Sequence, residues 1–398
     1  MMNFKAFHMS ERGEGHLHDG RVCQDSSASF SDECGTVAVV SDGHGGCDYV
    51  RSQIGSAMAC EAAVKNIRRL FENISPEAFL AEPDMMLIQL EAAIINDWNE
   101  SVRSHYEANP FTEEELDCVS EKAGASYRSG HRIERAYGAT LIAAAVTRDY
   151  WFGIQIGDGK CAAFDEAGIC TQPIPWDEKC FLNKTTSICG SDALRDFRHF
   201  YSEKIPTAVF MGSDGIDDSF KNEEDMYDFY KTILYAFSIS DYTQAVDELK
   251  AYLPRLSKEG SADDVSIAAW MDMDALKSVV DKIKAEGEEA EEPEENKKTE
   301  EEKETIENEK SEEGNEAEEG KKAEEEIETA ETRKEENYES RQQPRFCCMC
   351  GAKLVPGQRF CQCGARILLN AVEVNPDDAD GEKKNLFYYL ERFISYHL

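Results

Sequence analysis

The chain reads as layered α/β structure with an antiparallel component, followed by a low-complexity tract and a small cysteine-rich module. Three observations carry that reading. Apolar runs of strand length alternate with helical periodicities from residue 1 to about 275. Several of these runs follow one another through turns too short for a helical crossover, which forces antiparallel pairing. Composition then changes abruptly, which marks the end of the layered unit.

Taken in order, the runs TVAVV (36–40), TLIAAAV (140–146), YWFGIQI (150–156), KCAAF (160–164), TAVFM (207–211) and VSIAAW (265–270) are predicted strands. They are rich in branched and aromatic residues and bounded by turn residues. Residues 49–72, 82–105, 223–238 and 242–254 place apolar side chains at three and four spacing, which predicts helices. Asp165-Glu166-Ala167-Gly168 reads as a hairpin turn leading to a further short strand. Residues 106–136 are polar, irregular and Gly-containing, and are expected to be a mobile insertion.

With 398 residues and 41% hydrophobic content, the chain can bury a sizeable core. Its formal charge of -37 is extreme, and residues 286–339 hold 26 Glu against 8 Lys and Arg. Such a surface makes nucleic acid a poor partner, because phosphate neutralisation needs Lys and Arg. No apolar run reaches the roughly 18 residues of a membrane span, and the Met1 region lacks the layout of a signal peptide. A cytoplasmic protein without a membrane partner is expected. Nine of the 14 Cys are scattered over residues 23–189 without a spacing pattern, as reduced and mostly buried thiols would be. Residues 276–342 are too poor in apolar side chains to offset their ordering entropy. They read as an acidic linker, disordered or transiently helical.

Four short acidic motifs carry the chemistry: Gln24-Asp25, Asp42-Gly43-His44-Gly45-Gly46, Ser213-Asp214-Gly215 and Asp263-Asp264-Val265. Asp42 and Asp214 each follow a buried run and precede a Gly; Asp158 ends the run YWFGIQIG, and Asp263 precedes VSIAAW. In an antiparallel sheet, strand starts and strand ends share an edge, so these carboxylates are expected to meet. Converging carboxylates repel one another unless cations lie between them. A lone Asp-Gly is ordinarily a turn; the set together points to a hard-metal hydrolase site.

In these motifs, with Tyr137-Gly138-Ala139-Thr140 and Gly157-Asp158-Gly159, the chain resembles the metal-dependent type 2C serine/threonine protein phosphatases over residues 1–275. The resemblance implies a central sandwich of two mostly antiparallel β-sheets flanked by helices, with two Mn²⁺ or Mg²⁺ ions at one edge. By match, Asp42 would bridge the ions, the Gly43 carbonyl would assist, and Asp214 and Asp263 would complete the first ion's shell. Asp158 resembles a residue that helps hold a third, weaker ion. Asp25 matches an acid that positions bound water, and His44 looks like the general acid for the leaving alkoxide. No covalent phosphoenzyme is implied. Phosphorylated proteins would be the substrates.

Two departures stand out. Gln24 occupies a position where many members carry Glu or Asn, so a carboxylate contact to the second ion is missing. The family's phosphate-gripping Arg is one position off, with Arg21 nearest and Arg12, His16 and His18 as substitutes. The Tyr137-Gly138-Ala139-Thr140 stretch reads as close backbone packing, and Cys23 and Cys47 as packing residues.

Residues 343–368 contain a repeated Phe-Cys knuckle and resemble a zinc ribbon. Cys347, Cys350, Cys361 and Cys363 are the expected ligands of one structural Zn²⁺, with Cys348 as a substitute for Cys347. In the tail, 369–398, Leu386, Leu390, Phe393 and Ile394 share a helical face that would dock within the chain or on a protein partner. The sequence thus predicts a cytoplasmic, metal-dependent phosphatase acting on phosphoserine and phosphothreonine. A pseudophosphatase scaffold and a small-phosphoester hydrolase of the same fold are the rivals.

Overall fold

Ten strands are present among residues 3–181 and 184–291, which the computed structural model describes, with side chains described to residue 283. They are β1 (Phe4–Glu11), β2 (Ser26–Ser31), β3 (Thr36–Ser41), β4 (Leu141–Val146), β5 (Trp151–Ile156), β6 (Lys160–Phe164), β7 (Cys170–Thr171), β8 (Arg198–Ser202), β9 (Ala208–Gly212) and β10 (Val265–Asp272). One sheet runs β1-β10-β9-β6-β7 and the other β2-β3-β4-β5-β8, every pair antiparallel. The two-sheet sandwich flanked by helices is the architecture expected.

The period-2 alternation of strand side chains builds the layers. Ala38, Val40, Ile142, Ala144, Val209, Met211, Ala268 and Trp270 fill the space between the sheets. Val37, Val39, Leu141, Ala143 and Ala145 point the other way, onto the helices Ser52–Asn73 and Pro83–Ala108, whose Ala59, Ala63, Ile67, Leu90, Ile94 and Trp98 cover them. On the far side, Phe7, Phe164, Phe210 and Ile267 pack under the helices Glu223–Ile239 and Tyr242–Glu259. β3, β4, β5, β9 and β10 are buried on both faces, which is why they read as continuous apolar runs rather than alternating ones.

Two expectations change. Residues 106–136 are not irregular: they fold into the helices Glu113–Cys118 and Glu121–Arg128 and a 3₁₀ turn Ile133–Tyr137. The first helix carries a Thr112/Glu115 capping box. The organiser is distant in sequence. Buried Arg51 grips both Glu115 oxygens at 2.6 and 2.8 Å and donates to the Asn109 carbonyl at 2.6 Å and to the Tyr137 hydroxyl at 2.7 Å. The layered unit also runs past residue 275, since the helix Leu276–Glu291 buries Leu276, Val279 and Val280. The remaining acidic tract, the ribbon cysteines and the tail lie outside the described residues. Among the described residues, no helix is long and apolar enough to cross a membrane.

The Arg51 fork is testable. Arg51→Lys keeps the charge but cannot make the bidentate pair, leaving buried acceptors unmatched. The expected cost is about 2 kcal/mol in urea denaturation. A loss below about 0.5 kcal/mol, the level of an ordinary surface substitution, would show that the fork does not organise the segment.

Candidate active site

The edge where β3, β5 and β9 end and β2, β4, β6 and β10 begin collects the acidic motifs. Ser26 pairs with Ser41 across β2 and β3, which sets Asp25 beside Asp42. Gly212 pairs with Ile267 of β10 and with Lys160 of β6, which brings Asp214, Asp263 and Asp158 to the same edge. The backbone around them is tied. The Asp42 amide donates to Thr140 Oγ1 at 3.0 Å, and the Thr140 amide returns a bond to the Asp42 carbonyl at 2.8 Å. The Ser213 amide donates to the Ser266 carbonyl, and the Ser266 amide to Ser213 Oγ, both at 3.0 Å. The Tyr137-Gly138-Ala139-Thr140 stretch is therefore close backbone packing, as expected: Gly138 presses on the His44 and Tyr49 rings and accepts the His44 amide at 3.1 Å.

Electrostatics show how tightly the carboxylates are gathered. Burial first, and then the charge of Asp214, Asp25 and Asp263, hold Asp42 well above the usual carboxylate range. Burial and Asp264 do the same for Asp25, whose Oδ2 is buried without a hydrogen-bond partner. Burial pushes Asp214 up to about 7, with Asp158, Asp263 and Asp218 adding to it. Asp158 is raised by burial as well. The short helix Asp214–Asp217 adds two acids to which the sequence reading gave no role. Asp217 is pushed to about 8 by burial, with one oxygen unpartnered, and Asp218 is also raised. Both lie three or four residues after Asp214, a spacing that returns to the same side of a helical turn. That spacing was the available signal.

The motif neighbours divide into those at the cluster and those away from it. The Gly43 carbonyl accepts no backbone amide outside the helices and strands among the described residues. Gln24 Nε2 donates to Ser52 Oγ at 2.7 Å and to the His44 carbonyl at 3.3 Å, leaving Oε1 buried and unpartnered. His44 stacks edge-on against Tyr49, and burial with the Arg135 charge lowers it to about 4, so it is neutral at pH 7. Arg21 points elsewhere: its Nη2 pairs with Asp19 at 3.1 Å in an exposed position, and no contact joins it to the carboxylates among the described residues. Arg12 donates to the Arg21 carbonyl, and His18 contacts Asp19. His16 instead lies buried against Asp264.

The raised carboxyls fix a pH dependence for the metal-free protein. Each binds its proton more tightly folded than unfolded. The stability this contributes is complete below the ordinary value of 3.8 and is lost as pH rises through about 7 for Asp214 and about 8 for Asp217. His199, raised by its bond to Glu91, acts in the same direction. His44, lowered, acts the other way below its ordinary 6.5. In chelator, Tm is therefore expected to rise by several degrees from pH 8.5 to about 6.5, since each proton taken up is worth about 1.4 kcal/mol per pH unit. A flat or falling Tm over that window would show that burial at this edge does not hold these acids protonated.

A four-layered sandwich that gathers acids from strand ends at one edge presents an oxygen-rich site suited to hard divalent cations. The protein phosphatase 2C family model matches residues 12–254, and the chain belongs to that family. Solved structures of similar fold include a bacterial serine phosphatase (16% identity, TM-score 0.44, covering 68% of this chain and 98% of that one). Others are the serine/threonine phosphatase Stp1 from Staphylococcus aureus (17%, TM-score 0.44, 68% and 95%) and PstP/Ppp from Mycobacterium tuberculosis (15%, TM-score 0.40, 67% and 98%). No curated protein matches the chain.

Proposed function

We propose that the chain is a metal-dependent protein serine/threonine phosphatase that hydrolyses phosphoserine and phosphothreonine by direct attack of water. The observation that carries this reading is the enforced crowding of Asp25, Asp42, Asp214 and Asp263, each tied to a rigid strand end, with the Asp25 Oδ2 left without a partner. An oxygen-only donor set of this charge fits Mn²⁺ or Mg²⁺. Asp42, assisted by the Gly43 carbonyl, would hold two ions together with Asp214 and Asp263, and Asp158 would serve a third. Bound there, the ions supply neutralisation of the phosphoryl oxygens and a water of lowered pKa.

The chain's own side chains do the rest. Asp25, beside the Ser213 and Ser266 hydroxyls, accepts a hydrogen bond from the attacking water and aims it. His44 starts neutral; a bound phosphate dianion brings the negative charge that raises its pKa, so that it takes up a proton from solvent and passes it to the leaving alkoxide. With Arg21 paired to Asp19, the cations would take the substrate phosphate in place of a guanidinium. The described cysteines are free, which fits a reducing cytoplasmic setting. Recruitment of a protein partner through residues 343–368 or the tail remains part of the proposal.

The test is phosphate release from a phosphothreonine peptide by the full chain, stripped of metal and then given Mn²⁺. Release should require Mn²⁺, fall at least about 10²-fold in Asp214→Asn, and show a higher kcat/KM on the peptide than on p-nitrophenyl phosphate. Clear Mn²⁺ binding without turnover would instead establish the pseudophosphatase scaffold. Equal or better turnover of the small ester would establish the small-phosphoester hydrolase.

A further inference from the structure

We propose that His16, Asp263 and Asp264 hold a divalent cation of their own, and that the imidazole in this set selects Mn²⁺ or Zn²⁺ over Mg²⁺. This position shares only Asp263 with the cation pair of the preceding reading. One ligand atom from each of the three residues lies within 4.8 Å of the others.

His16 makes this more than an acidic cluster. Its side chain is 7% exposed, and its Nδ1 lies 2.9 Å from Asp264 Oδ1. Yet Nδ1 has no aligned hydrogen bond. A structural His–Asp pair would direct the N–H at the carboxylate and satisfy both atoms. Here the Nδ1 direction is turned away from Oδ1 although the two atoms are close, so both can aim at a cation placed beside them. Two ligands bound at about 2.1 Å and at right angles lie about 3 Å apart, which is the spacing seen.

The carboxylates are prepared as ligands are. Asp264 Oδ1 accepts the Gly13 amide at 2.7 Å and Oδ2 the Gln24 amide at 2.6 Å. Each oxygen keeps a second lone pair, and such outer hydrogen bonds orient a metal ligand. Asp263 Oδ1 accepts the Asp264 amide at 2.8 Å. The loop bearing His16 cannot drift from this turn: a Cβ on Gly13 would come within 2.3 Å of the Asp263 carbonyl carbon, and the Gly15 amide donates to the Ala262 carbonyl at 2.8 Å. Two carboxylates balance the charge of a divalent ion, and the imidazole nitrogen completes the donor set. A nitrogen ligand suits Mn²⁺ or Zn²⁺, whereas Mg²⁺ takes oxygen almost alone.

Electron spin echo envelope modulation of the full chain, stripped of metal and reloaded with Mn²⁺, reads this directly. The residues proposed to hold the cation pair bind through oxygen, so ¹⁴N modulation from a directly bound imidazole reports this position. We expect that modulation in the wild type, its replacement by the ¹⁵N pattern after histidine labelling, its loss in His16→Gln and its survival in His44→Gln. Excess Mg²⁺ should leave it in place. Absence of histidine nitrogen at saturating Mn²⁺ overturns the proposal, as does loss in His44→Gln with retention in His16→Gln. Should His16→Gln not fold, the labelled wild type and His44→Gln decide between these outcomes. The readout is independent of turnover. An inactive protein with bound imidazole leaves this proposal standing while the phosphatase reading fails, and an active one without it does the reverse.

Discussion

Asp42→Asn is expected to lower kcat/KM on a phosphothreonine peptide by about 10³-fold or more, while leaving the metal-free protein as stable as the wild type or more stable. Both halves follow from one environment. The Asp42 backbone is clamped by reciprocal bonds with Thr140, so the isosteric amide keeps its place. What changes is charge. Asp42 sits buried in the field of Asp214, Asp25 and Asp263, and without a cation that field opposes its ionisation. Removing the charge relieves repulsion in the metal-free state and removes the anionic ligand proposed to hold the ions, so the electrostatic stabilisation they would give the transferring phosphoryl group is lost. The paired measurement is Tm with and without Mn²⁺. Mn²⁺ at 100 times its Kd should stabilise the wild type by about 2.7 kcal/mol, and this increment should shrink or vanish in the variant. An undiminished Mn²⁺ shift in Asp42→Asn would mean that the cations bind elsewhere.

What the sequence disclosed, and what it hid, follows from where each residue sits. The six strands read from apolar runs lie mostly inside their sheets, buried on both faces. The missed strands β1, β2 and β8 are all edge strands. Phe4–Glu11, Ser26–Ser31 and Arg198–Ser202 carry Lys, His, Ser and Arg among half-buried positions, so hydrophobic periodicity is weak there. The segment 106–136 looked irregular because its order depends on Arg51, more than fifty residues earlier. At the site, Asp42, Asp158 and Asp214 were legible because each closes a buried strand. Asp217 and Asp218 were hidden one helical turn on, among ordinary surface acids. Asp264 was visible in its motif but had no assignable role: its partners, Gly13, His16 and Gln24, come from a loop at the opposite end of the domain sequence. Strand chemistry is written locally, whereas a site assembled from several strand ends shows only those members that also end a local pattern.

Gly55→Ala is expected to destabilise the fold by about 3 kcal/mol or more, and to weaken Mn²⁺ binding in whatever remains folded. The helix Ser52–Asn73 lies so close to the 3₁₀ turn Ile133–Tyr137 that a Cβ at residue 55 would stand 1.7 Å from the Tyr137 carbonyl oxygen. The obstacle is backbone, so no rotamer change relieves it. The surroundings resist movement too: Trp98 Nε1 donates to the Gly55 carbonyl at 2.9 Å and the Arg51 amide to the Ala136 carbonyl at 2.8 Å. Overpacking of this kind ordinarily costs 1–3 kcal/mol, and a contact fixed on both sides lies at or beyond the upper end. Tyr137 also leads into Gly138 and Thr140, which hold His44 and Asp42, so a shift of the turn is transmitted to the cluster. Gly124→Ala supplies the contrast in the same urea experiment. There the nearest atom is the flexible end of Arg128 at 3.3 Å, and alanine in a helix should be neutral or stabilising by up to about 1 kcal/mol. Comparable stability of the two variants would show that the helix and the turn can separate without cost. Loss of stability in Gly55→Ala with an intact Mn²⁺ shift would show that the acidic edge is held by its strands alone.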